Sequence, residues 1–149
     1  MIVEMNHMSF TVSDLDRSVR WYQEMLGLEL ISLANRDAAF SSRVTGIPGA
    51  ELKIAYLKAP NCAVELIQYL SPKGETIDTR TCNVGSAHVC FIVDDFPAMV
   101  ERLKAARVVF AGLPSVVPAG PNTGRGVLYF EDPDSNTVEI LSHRPLEAA

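Results

Sequence analysis

Apolar and polar residues alternate with a period that changes several times along the chain. Residues 2 to 12 alternate as a strand does, with Met8, Phe10 and Val12 on one face and His7, Ser9 and Thr11 on the other. In "SDLDRSVRWYQEMLG" the period lengthens to that of a helix. Leu15, Val19, Tyr22 and Leu26 share a stripe, Ser13 or Asp14 is the N-cap, and Gly27 is the C-terminal stop. Three more strands are expected: 28 to 33 continuing loosely to 44, then 51 to 58, then 62 to 70. "SPKGETIDTRTCNVGS" has turn residues without periodicity and reads as a linker.

After the linker the pattern restarts. "AHVCFIVDDFPAMVERLKAARVVF" is again a strand and a helix, and an offset of 81 (88 minus 7) pairs His7 with His88, Phe10 with Phe91, Val12 with Val93, Asp14 with Asp95 and Val19 with Val100. The last strands pair as well, "VELI" with "VEIL", at an offset of 74 (139 minus 65). Two copies of about 65 residues, each strand, helix and three strands, are too few for a solenoid. The expectation is an α+β fold in which two tandem βαβββ modules form a curled mixed sheet around a central cavity. Module one spans about 2–70, the linker about 71–85 and module two about 86–143, within one domain over 1–149.

Strand parity separates the ionisable residues from the apolar ones. Glu65 lies between Val64 and Leu66, and Glu139 between Val138 and Ile140, so both glutamates face away from the side the helices cover, as do His7 and His88. A carboxylate placed in an interior requires a partner or a metal. Two neutral imidazoles and two carboxylates sum to a charge of −2, which balances a divalent cation, and mixed nitrogen and oxygen donors suit Zn, Ni, Co, Mn or Fe(II) rather than Ca or Mg. Two structural His–Glu hydrogen bonds without metal are the alternative. Cys90, on the same face as His88, is a substrate contact or a small buried filler.

Composition narrows the classes. With 13 Lys+Arg against 18 Asp+Glu, a net charge of −5, the chain has no basic stripe for nucleic acid. No stretch is long and apolar enough to span a membrane and the N-terminus lacks a signal-peptide pattern, so a cytoplasmic protein is expected. Three cysteines, Cys62, Cys82 and Cys90, without CxxC spacing argue for free thiols.

The paired modules, "VSDLDRSVRWYQEMLGLEL" after the first histidine, "HVCFIVDD" around the second and "LYFEDPDSNTVEIL" near the end resemble the vicinal oxygen chelate superfamily over nearly the whole chain. That superfamily includes glyoxalase I, methylmalonyl-CoA epimerase, extradiol dioxygenases, fosfomycin-modifying thiol transferases and bleomycin-binding proteins. Its dioxygenases and fosfomycin enzymes typically use two histidines and one glutamate, matching His7, His88 and Glu139. Glyoxalase I and the epimerase add a ligand where Glu65 stands, so the resemblance favours the lyase and isomerase branch. It implies a metal-dependent enzyme that chelates neighbouring oxygens of a small substrate and moves a proton beside a carbonyl or thioester, with Glu139 as base and Glu65 as ligand and second acid or base. It also implies a homodimer. The alternatives are an Fe(II) extradiol-type dioxygenase and a non-catalytic, resistance-type binding protein.

The Pro- and Gly-rich "LPSVVPAGPNTGRG", residues 113 to 126, reads as a loop of the kind that closes over sites. Arg125 is a candidate for a substrate carboxylate or a solvated surface arginine, and Tyr129 points into the cavity or packs in the core. Asp14 and Asp95 are explained as N-caps.

Overall fold

The structure, a computed structural model, describes residues 1–146; the last three residues of the expected domain lie outside the described residues. Packing divides the chain into two compact units, Met1–Ile77 and Asp78 onward.

The first unit runs β1 (His7–Thr11), α1 (Leu15–Leu26), β2 (Glu29–Arg36), α2 (Ala38–Thr45), β3 (Glu51–Lys58) and β4 (Ala63–Ser71). Its four strands form one mixed sheet in the order β1-β4-β3-β2. The strand expected over 2–12 is confined to β1, which pairs parallel with β4, and single bonds from the Ala63 amide to the Asn6 carbonyl and from the Val12 amide to the Ile67 carbonyl extend the pairing. Asp14 caps α1 by accepting from the Arg17 amide, and Gly27, at φ 69°, ends it in the left-handed region that glycine tolerates.

Leu15, Ser18, Val19 and Tyr22 are the buried face of α1, at the i, i+3, i+4, i+7 spacing that one helix stripe requires. Against it lie Phe10, whose ring stacks on Tyr22 at 6.5 Å, and the fully buried Val64 and Leu66 of β4. Each such aliphatic side chain contributes about 1.5–3 kcal/mol by burial. Gln68 ties sheet to helix: its side-chain oxygen accepts from the Leu15 amide and its Nε2 donates to the Ser13 carbonyl. α2 corrects the sequence reading, which continued a strand to 44. Asp37 caps this helix and Gly46 ends it.

The second unit repeats the plan as β5 (His88–Val93), α3 (Phe96–Ala105), β6 (Ser115–Val116), β7 (Arg125–Glu131) and β8 (Thr137–Pro145), in the order β5-β8-β7-β6. Asp95 caps α3 as Asp14 caps α1. The stretch 113–126 is mostly loop but contributes β6 and the start of β7. Val138 and Ile140 are fully buried on the face packed by α3, while the intervening Glu139 faces the other way. In the turn "DPDSN", the buried Asp132 carboxylate accepts from the Asp134 and Asn136 amides and from Asn136 Nδ2, which closes the β7–β8 hairpin in a fixed register. No helix among the described residues is long and apolar enough to cross a membrane.

Candidate functional site

The two parallel pairings share one register. His7 pairs with Ala63 and Ser9 with Glu65 in the first unit; His88 pairs with Thr137 and Cys90 with Glu139 in the second. Adjacent parallel strands carry their side chains on the same faces, so each histidine and its module's glutamate emerge on one side of the sheet.

In the first unit His7 Nε2 stands 3.4 Å from Glu65 Oε2. Glu65 is only 6% exposed, whereas the His7 side chain is about a third open. The other carboxylate oxygen, Oε1, accepts a short hydrogen bond from the Tyr56 hydroxyl, which lies directly across the β3–β4 ladder. The Tyr56 ring also meets the imidazole edge-on at 5.5 Å. On the far side of the imidazole, Nδ1 donates to Asn6 Oδ1 at 2.8 Å. With that proton on Nδ1, a neutral His7 presents an unprotonated Nε2 toward the glutamate. The Glu65 hydrogen bond foremost, then desolvation, raises the Tyr56 phenol to about 12, so it remains a protonated donor.

The second unit repeats this arrangement with one addition. His88 Nε2 is 3.1 Å from Glu139 Oε2, and Tyr129 stands across the β7–β8 ladder from Glu139 with its ring edge-on to His88 at 5.2 Å. Tyr129 and Cys90 flank Glu139 on its two neighbouring strands, each at the register position directly beside it. Desolvation first, then the Glu139 carboxylate, raises each of them to about 12. Cys90 is therefore a thiol, not a thiolate, at neutral pH. Cys90 is a free cysteine and exposed, which corrects its reading as a small buried filler.

Of the residues singled out in the sequence, the structure joins His7 with Glu65, and His88 with Glu139, Cys90 and Tyr129. Within the second unit Arg125 is not brought to the His88–Glu139 pair. It heads β7 in register with Pro145, four strand residues or roughly 13 Å from Tyr129 at the usual rise. Sequence reading missed Tyr56 and Asn6. Tyr56 had a signal, since Tyr56 and Pro60 repeat as Tyr129 and Pro133 at a common offset of 73 (129 minus 56, 133 minus 60). Among the described residues no group of three or more His, Cys, Asp or Glu side chains gathers closely enough to hold a metal ion.

The donor set itself fits a divalent metal. Two bonds of about 2.0–2.2 Å at tetrahedral or octahedral angles put donor atoms about 3.0–3.5 Å apart, the range in which both His–Glu separations fall. Two lone pairs facing at 3.4 Å repel unless a cation, a proton or a metal, lies between them. Hydrogen-bonded outer partners such as Asn6 are the usual means of orienting a metal-binding histidine.

Comparison with known proteins places the chain. The family model described as Glyoxalase/Bleomycin resistance protein/Dioxygenase superfamily matches residues 4–140. The chain is 30% identical over 145 residues to 2-epi-5-epi-valiolone epimerase from Actinomyces sp, covering 94% of this chain and 79% of that protein. It is 26% identical over 145 residues to lactoylglutathione lyase from Haemophilus influenzae, covering 93% and 91% respectively. The crystal structure of a glyoxalase family protein from Bacillus cereus superposes with a TM-score of 0.78 at 26% identity, over 95% of each chain. Its sequence, its two four-stranded mixed sheets and these relatives make the chain a member of the glyoxalase, bleomycin resistance protein and dioxygenase superfamily.

Proposed function

We propose that the chain is a divalent-metal-dependent lyase or isomerase that binds neighbouring oxygens of a small substrate and moves a proton beside a carbonyl or thioester. His7, Glu65, His88 and Glu139 are the proposed ligands. The observation that carries this reading is the repeated pair: in each module an imidazole Nε2 faces a buried carboxylate oxygen at metal-ligand separation, and Asn6 orients the first imidazole for it. The epimerase and lyase relatives support the chemistry assigned to it.

A bound divalent ion, Zn, Ni, Co, Mn or Fe(II), would supply Lewis acidity toward a carbonyl oxygen, making the neighbouring C–H more acidic. The protein's own part is proton transfer. The Glu139 carboxylate takes the proton from that carbon and returns it, and Glu65 acts as ligand and second acid or base on the opposite module. The protonated Cys90 and Tyr129 beside Glu139 add no negative charge to that site.

Metal analysis of protein purified without added metal, together with solvent exchange, tests the reading. In D2O, deuterium is expected to enter the carbon beside the carbonyl of at least one of 2-epi-5-epi-valiolone, methylmalonyl-CoA and lactoylglutathione, and chelation is expected to stop it. Protein that binds no divalent metal would sink the proposal. Tightly held iron with oxygen uptake on catechols would replace it with the dioxygenase reading, and binding without exchange would replace it with a resistance-type protein. Glu65→Ala should weaken metal binding by more than the roughly 10–100-fold that loss of an outer partner costs; unchanged affinity and exchange would leave a three-ligand site.

A further inference from the structure

The two tyrosines do something that neither the family match nor the proposed ligand set assigns. Tyr56 and Tyr129 occupy equivalent places: each stands directly across an antiparallel ladder from its glutamate and turns its ring edge toward its histidine. In the first module the two oxygens of Glu65 are thereby divided. Oε1 is engaged by the phenol, and Oε2 is the oxygen beside His7 Nε2. A free carboxylate rotates and can offer both oxygens to a cation, whereas one tethered through Oε1 is held with Oε2 toward the cation and Oε1 made the poorer donor.

We infer that Tyr56 is a positioning residue that holds Glu65 as a single-oxygen ligand, its phenol on Oε1 turning Oε2 to the cation, and that Tyr129, from the equivalent place across the ladder, serves Glu139 in the same way. The flanking position on the first strand is Ser9 beside Glu65 and Cys90 beside Glu139.

This inference rests on the metal reading above, and the two fail differently. Full-length protein, stripped of metal and titrated with Co(II), reports both affinity and coordination through its visible band. Tyr56→Phe keeps the ring against His7 and removes the donor; it should weaken Co(II) binding about 10–100-fold. It should also lower the band intensity, because a freed carboxylate raises the coordination number, and it should leave the thermal midpoint within a few degrees of wild type. Tyr129→Phe should show a loss of the same order. Two folded tyrosine variants with wild-type affinity and band would overturn the inference while leaving the metal site standing. Wild-type protein that takes up no Co(II) would overturn both. Should Tyr56→Phe not fold, Tyr129→Phe decides alone.

Discussion

Gly126 shows how little room surrounds the strand that carries Tyr129. A Cβ built there would lie 2.6 Å from Phe96 Cδ1 and 2.9 Å from Leu146 Cδ1, and Phe96 is a buried anchor of α3. Its amide also donates to Ser142 Oγ, across the irregularity that separates Arg125 from Val127 in the β7–β8 ladder. Gly126→Ala is expected to destabilise the protein by about 1–3 kcal/mol through overpacking, measured by urea unfolding; a neutral outcome would mean that Phe96 moves aside without cost. At this scale the sequence was readable where chemistry repeats. Histidine and glutamate recur in both modules and stand out against apolar neighbours. Tyr56 was harder to see, because tyrosine is at home in any core strand and its role depends on which residue lies across the ladder, a pairing decided by hairpin register. Asn6 was invisible for a related reason: its partner is a particular ring nitrogen of His7, and no spacing records that.

Among the elements, α1 and α3 were legible because each has an aspartate cap followed by an apolar stripe that becomes a buried face. α2 was not, and burial explains why. Its most buried residue is Ser41, fully enclosed, while Phe40 and Val44 are exposed at 43% and 58%. A search for an apolar face therefore finds the wrong side, and eight residues give too few turns to correct it. The ends did carry a signal, since Asp37 accepts from the Phe40 amide and Gly46 adopts φ 73°. That amide holds the Asp37 carboxyl below its ordinary value. A carboxyl whose folded value is depressed contributes stability above its unfolded value, near 3.8, and loses it as pH falls through the folded one. In an NMR titration the Asp37 carboxyl should titrate below the unfolded range, with amide-exchange protection at Phe40 fading in the same acidic window. Asp37→Asn, which keeps the cap without the charge, should remove that pH dependence; a normal Asp37 titration would contradict the capping account.

For the molecule as a whole, the internal repeat was the informative signal, because it is written in residues that are buried, or that pair as histidine with glutamate, in both copies. The substrate was not legible, since loops such as 113–124 carry no repeat and follow no period. Each module supplies one His–Glu pair, so the proposed four-ligand site draws on two modules, either of one chain or of two copies. His7→Ala and His88→Ala proteins, each expected to bind Co(II) weakly alone, test this when mixed and allowed to exchange subunits. If sites are shared, half of the dimers are mixed and each holds one site with all four ligands beside one lacking both histidines. About one quarter of the wild-type Co(II) capacity should then return. If both modules of a site come from the same chain, every site in the mixture lacks a histidine and no capacity returns. Recovery near a quarter assigns each site to two chains, and no recovery assigns the whole quartet to one chain.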